Sequence, residues 1–290
     1  MNLIKSTFGA LAGVSLFCVT AEAEIVAKAV RGDVSKPQPA AAYWANAPVE
    51  KVSLIAQPMA IPRPAVALTP ELRVQAVHDA KWLAVRLTWK DPEYSEAGHL
   101  GEFSDAVAMQ FPVKSNESPP PIFMGAKDNP VHIFHWRAQY QRDQEKGKPE
   151  MTDLYPNLSV DMYPMEFKDP GTLGTSANSG REQFSPGRAE GNPQSYQKNG
   201  VDEIVAEGFS TSSVQEGHGS AASGTWAAGE WSVVIVRELN REGGSVLTVG
   251  GKTFMGFAVW QGGASEVGSR KCVTMAWTPV TLEGAQAAAR

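Results

Sequence analysis

Cysteine is almost missing from this chain: Cys18 and Cys272 are its only two thiols in 290 residues. Cys18 lies in a leader-like N-terminus, so a processed chain would keep one thiol, form no internal disulfide and depend on a packed core. No apolar run after the leader approaches the roughly 18 residues of a membrane-spanning helix, so no span is expected. A charge excess of one sign is also lacking: 26 Lys and Arg face 31 Asp and Glu, mixed along the chain, for a net charge of −5. A nucleic-acid partner, which would want a basic face, is not expected. No C-x-x-C-H, H-E-x-x-H, G-x-S-x-G or Walker loop occurs, which removes thioether-attached cofactors, zincin proteases, serine-elbow hydrolases and P-loop chemistry.

What is there begins with MNLIKSTFGALAGVSLFCVTAEA. Lys5 gives a short positive region, residues 7–20 an apolar stretch, and Ala21-Glu22-Ala23 a small-x-small cleavage site. Residues 1–23 are therefore expected to be a secretory signal peptide. There is no twin arginine, and no leucine stands three residues before Cys18 as a lipoprotein anchor would need. The expectation is an exported, soluble, periplasmic protein, with residues 24–290 forming one domain.

Residues 24–66 hold short apolar pieces, IVAKAV and VSLIA, among Pro37, Pro39, Pro58, Pro62 and Pro64. Long helices are excluded there, and edge strands with extended connections are expected. In ELRVQAVHDAKWLAVRLTWKD, Leu72, Val74 and Ala76 alternate, Asp79-Ala80 turns, and Leu83, Val85, Leu87 and Trp89 alternate again, which predicts a β-hairpin. His78, beside that turn, is expected to be exposed. FSDAVAMQFPV and VHIFHW alternate as strands, joined by KSNESPPPIFMG, where Pro119 to Pro121 stiffen the approach to Met124 as polyproline II. His132 and His135, three apart on a strand, point to opposite faces and do not form a metal pair.

From Arg142 to Gly200 the chain is rich in Gly, Pro, Ser and Asn, and a loop-rich insertion over 142–200 is expected. VDEIVAEG is a short helix or strand ended by Gly208. GTWAAGEWSVVIVREL is a hairpin turning at Ala227-Ala228-Gly229. KTFMGFAVWQGG and SRKCVTMAWTPV are two more strands, joined by GGASEVG. About ten short strands with regular turns and little helix predict an antiparallel β-sandwich.

In chain order, FSDAVAMQFP, PPPIFMGAKDNPVHIFHWRA, VAEGFST, GTWAAGEWSVVIVREL and FAVWQGGASEVGSRKCVTMAW resemble the ethylbenzene-dehydrogenase-type haem-binding γ subunits, from about Val52 to Trp277. Those subunits belong to periplasmic molybdenum enzymes, including the dimethyl sulfide, selenate and chlorate enzymes. The resemblance implies a β-sandwich with one non-covalent b-type haem held by a methionine and a lysine. By the FMG context the methionine falls on Met124, and by the GSRK turn the lysine falls on Lys271, with Lys252 as the alternative position. Phe134, Trp136, Phe257 and Trp260 are candidates for the haem pocket, although sandwich core describes them equally well. Arg137, Arg237 and Arg270 are candidates for the propionates.

The resemblance further implies an electron-transfer subunit, itself without catalysis, working between an iron–sulfur subunit and a soluble cytochrome c, with a molybdopterin-binding subunit as catalytic partner. Without the resemblance, a methionine in a proline loop is core filler and a lysine beside an arginine is solvated surface. Two rivals stand beside it. One is a cofactor-free carbohydrate-binding sandwich using exposed tryptophans, and the other a hydrolase using carboxylates of the 142–200 insertion.

Overall fold

The computed structural model describes residues 24–62, 64–114, 118–147, 149, 151–157, 200–215 and 219–284. The signal peptide expected over 1–23 and most of the 142–200 insertion lie outside them. The described part of that insertion is helical where it opens: α1, Ala138–Lys146, continues straight from a strand, and α2 is Met151–Leu154.

The first sheet starts from the strongest alternation in the sequence. The hairpin β4 (Glu71–His78) and β5 (Trp82–Lys90) closes through Asp79, whose carboxylate accepts from the Lys81 and Trp82 amides at 2.9 and 2.7 Å. Ala80 sits in the left-handed region at φ 75°. Next to it stands a second hairpin, β10 (Ala221–Ala227) and β11 (Glu230–Glu238), turning at Ala228 and Gly229 with φ 50° and 74°. Two successive left-handed residues match the twist of a tight hairpin. With β1 (Ile25–Ala29), β14 (Thr278–Leu282) and the first half of β12 (Lys252–Trp260), the order is β10-β11-β5-β4-β1-β14-β12; β2 (Glu50–Ser53) also pairs with β4.

β1 departs from the expected edge strand: it lies between β4 and β14 and runs parallel to both. The prolines follow β1 and none interrupts it, so every ladder amide is available, and its alternating Ile25, Ala27 and Ala29 are buried. The expectation for His78 also fails. At 1 % exposure it closes β4 inside the protein, with its ring Nε2 2.9 Å from the Glu283 carbonyl and its Nδ1 accepting from the Ala80 amide.

The second sheet has the order β3-β13-β12-β6-β7-β8-β9, where β3 is Ile55–Ala56, β13 Cys272–Val273, β6 Ala106–Pro112, β7 Val131–Arg137, β8 Val201–Ala206 and β9 Ser213–Val214. VDEIVAEG is thus a strand. β12 belongs to both layers: Lys252–Met255 pair with β14 in the first sheet, Gly256–Trp260 with β6 in the second. The two layers make a mainly β sandwich. Between them lies one core, with Leu72, Val74, Leu83, Val85, Leu87 and Trp89 from one side and Val107, Met109, Phe111, Phe134, Trp136 and Val259 from the other. Trp136 reaches across it, edge-on to Trp231 at 4.9 Å and to Trp89 at 6.4 Å.

Because Trp136 is fully buried among these rings, Trp136→Ala is expected to cost about 3–5 kcal/mol of stability in urea denaturation. Burial also lowers the His78 pKa below its ordinary 6.5. The unfolded chain then binds a proton more readily than the folded one, so stability falls as pH drops below about 6.5. His78→Gln is expected to flatten that fall without abolishing it, since burial lowers His132 too. Unchanged pH dependence of the urea midpoint would contradict this role.

Candidate functional site

Residues opposed across strands share a face. On the outer face of the second sheet one row is Gly256, Gln110, Ile133 and Ile204; the next is Ala258, Ala108 and His135; the third is Trp260, Ala106 and Arg137. The centre of this face is glycine and alanine, while its reverse carries the bulky core. Above that thin floor lies a cavity of about 310 Å³, in the range of small-molecule pockets.

The loop from β6 to β7 builds one wall, with Ile122, Phe123 and Met124. It is tied down at several points: Trp277 Nε1 donates to the Pro120 carbonyl at 2.6 Å, Gln110 Nε2 to that of Ile122, and the Gly208 amide to that of Met124 at 2.8 Å. Gly125, at φ 76°, has no room for a side chain, since a Cβ there would stand 2.9 Å from the Asn129 carbonyl oxygen. Met124 itself has φ 64°. An unbranched L-residue in this region gives up about 1–2 kcal/mol that glycine would not, so the thioether occupies a position whose backbone favours glycine.

The opposite wall is the segment between β12 and β13, with Gly268, Ser269 and Lys271, followed by Val273 and Thr274. Trp260 Nε1 donates to the Gly268 carbonyl at 3.0 Å and the Gln57 amide to that of Lys271 at 2.8 Å. Lys271 Nζ lies 4.6 Å from the centre of the Trp260 ring. Among the described residues it has no hydrogen-bond or ion-pair partner, and burial pushes its pKa down to about 8. A neutral amine, able to act as a Lewis base, is therefore within easy reach.

The structure thus brings Met124, Lys271 and Trp260 onto one cavity. Phe257 borders the cavity too, although it alternates with Gly256 and Ala258 and packs in the core. Phe134 and Trp136 lie in the core instead, because they alternate with Ile133 and His135 on β7. Lys252 is exposed at the start of β12, paired with Thr281, and does not border the cavity. Arg237 is also a core residue. Its guanidinium lies over Phe111 and Phe134 at 5.0 and 5.1 Å and donates to Ser245. Arg270 stands beside Lys271 but does not line the cavity, and Arg137 lines a neighbouring one.

One residue of the site went unassigned in the sequence, although the β7 alternation carried its address. His135 borders the cavity, its ring 4.8 Å from that of Trp260, and its Nε2 is buried without a hydrogen-bond partner among the described residues. Burial, with help from Arg137 and Lys271, holds its pKa well below the ordinary histidine range. His132, on the other face, is bound to Glu203 at 2.8 Å and belongs to the core.

The β-sandwich thus carries a cavity on the outer face of one sheet, lined by a thioether, an amine and an imidazole, the kinds of soft or neutral donor that suit a transition metal. The chain belongs to the ethylbenzene dehydrogenase family, whose model matches residues 41–272, a range that includes Met124 and Lys271. It is 27 % identical over 250 residues to a protein described as chlorate reductase subunit gamma from Ideonella dechloratans, covering 85 % of this chain and 79 % of the relative. It is 30 % identical over 141 residues to one described as a respiratory nitrate reductase heme subunit from Haloferax mediterranei, covering 48 % of this chain and 50 % of the relative. The match thus spans about half the length of the Haloferax protein. Among solved structures, a family 9 carbohydrate-binding module from Caldicellulosiruptor kristjanssonii in complex with glucose aligns with TM-score 0.44 and 9 % identity, over 92 % of this chain and all of that one.

The backbone at Met124 generates its own test. Met124→Gly is expected to be more stable in denaturant than Met124→Ala by about 1 kcal/mol, since both lose the thioether and only alanine keeps the left-handed penalty. Equal stabilities would show that the loop relaxes out of this conformation.

Proposed function

We propose that this chain is a periplasmic electron-transfer subunit that holds one b-type haem non-covalently, with Met124 and Lys271 as axial ligands. Its place is between the iron–sulfur subunit of a molybdenum-containing oxidoreductase and a soluble cytochrome c, beside a molybdopterin-binding catalytic subunit. The observation that carries the reading is the meeting of Met124 and Lys271, from loops far apart in the chain, on one cavity of the outer sheet face. The names of the relatives, a heme subunit and a gamma subunit of reductases, support the same reading.

The residues present fit such a group. The glycine and alanine floor leaves room for a planar ring, and the Lys271 amine, already displaced toward neutrality, has no competing carboxylate among the described residues. Among the described residues the buried Nε2 of His135 has no hydrogen-bond partner, and a polar substituent of the group would bring one. A haem bound here supplies one-electron redox chemistry. Met124 contributes a neutral, soft thioether that favours the ferrous state and raises the potential. Lys271 must lose its proton to ligate, and a dry wall makes that loss easier. If Met124 and Lys271 both held the iron, the chain would leave it for electron transfer and not for binding a substrate. The carbohydrate-binding alternative finds little support in the tryptophans: all eight are buried or half-buried.

Protein exported with ample haem is expected to purify red with a low-spin spectrum; colourless protein would overturn the reading. Lys271→Ala is expected to turn that spectrum high-spin or water-ligated. Met124→His is expected to retain haem at a lower potential, and an unchanged potential would remove Met124 from the iron.

A further inference from the structure

The cavity does not end at Trp260. A second one, of about 340 Å³, adjoins it and shares His135, Trp260 and Gly268 with it. The floor continues as well: on β6, Ala108 lies under the first cavity and Ala106 under the second, with Ala106 between Arg137 and Trp260 in register. Along β7 the same face presents Ile133, then His135, then Arg137, so an apolar stretch gives way to two nitrogen donors in two steps of the pleat.

Among the described residues those donors make ring contacts and no hydrogen bond that an acceptor in the cavity would have to displace. The Arg137 guanidinium stacks on the Tyr140 ring at 4.9 Å and makes no ion pair among the described residues. His135 Nε2 is buried at the boundary between the cavities with no hydrogen-bond partner among the described residues. Two carboxylates also border the second cavity, and both are engaged. Glu102 accepts from the His99 amide at 2.9 Å; Glu266 accepts from the Gln261 amide at 2.9 Å and touches Cys272 Sγ at 3.7 Å. An unpaired guanidinium in a half-enclosed space favours a carboxylate through charge-assisted hydrogen bonds.

We infer that the second cavity is a carboxylate-recognition site, in which His135 and Arg137 bind the propionate groups of a haem whose ring occupies the first. This rests on the proposed haem reading and adds an orientation to it: the acidic edge points past Trp260 along β6 and β7. His135 then acts as a binding residue, and the ligand pair Met124 and Lys271 is independent of it.

The test compares uptake of haem and of haem dimethyl ester by the full-length apoprotein, titrated by the Soret band. Wild-type protein is expected to prefer the free acid by about tenfold or more, the equivalent of one charge-assisted hydrogen bond. Arg137→Gln and His135→Gln are each expected to reduce that preference several-fold while the low-spin spectrum stays unchanged. Equal affinity of wild-type protein for acid and ester would overturn the proposal, as would a preference that survives in both variants. A variant that misfolds, detected by circular dichroism, is replaced by Arg137→Lys, expected to keep part of the preference. If wild-type protein takes up neither form, the haem reading itself falls; if it takes up both alike, only this inference does.

Discussion

The passage of β12 from one sheet to the other is the constraint on which this structure depends. Four of its residues ladder with β14 and five with β6, so the two layers are fixed to each other through a single strand. The crossover falls at Met255 and Gly256, and Gly256 already borders the cavity. A Cβ at Gly256 would stand 2.8 Å from Gln110 Nε2, the group that holds the Ile122 carbonyl and with it the Met124 loop. The chain leaving β12 becomes the wall that carries Lys271. The two walls thus descend from adjacent strands, β6 and β12, at the centre of one sheet.

The second sheet is asymmetric in bulk. Its inner face carries Met109, Phe111, Phe134 and Trp136, which are buried against the other layer in the core. Its outer face, relieved of that task, carries Gly256, Ala106, Ala108 and Ala258. A site can sit there because the core does not need that face. On the inner side Glu203 accepts from Arg241 and Ser220 and bonds to His132, and these partners hold its carboxyl at about 2 against the effect of burial. On the outer side Lys271, His135 Nε2 and Arg137 make only ring contacts among the described residues, and that difference separates the two faces of the sheet.

Much of this was legible in the residues. Alternation in ELRVQAVH, WLAVRLTW, AVAMQF and VHIFHW set strand identity and, at β7, set which side chains share a face, because the strand period is fixed at two. The FMG triplet drew attention to Met124, and Gly125 is there because carbonyls crowd its Cβ position. Alternation does not say which face is inner. Phe134 and Trp136 could be assigned to core or cofactor with equal ease from sequence, and only the packing of Trp136 against Trp231 and Trp89 settles them in the core. The parallel placement of β1 and the burial of His78 were hidden for a related reason: both depend on the C-terminal segment, through β14 and the Glu283 carbonyl.

The sequence by itself determined a strand-rich chain with little cysteine, the periods of its main strands, a stiff methionine loop and membership in a family with a haem-binding resemblance. Tertiary structure alone decided that Lys271 and not Lys252 shares a wall with Trp260, that Arg237 belongs to the core, and that His135 and Arg137 continue the floor into a second cavity. The physical reason is one of range. Local periodicity fixes where a side chain points from its own strand, whereas what it meets depends on register between strands distant in sequence, and the strand order records that only after folding.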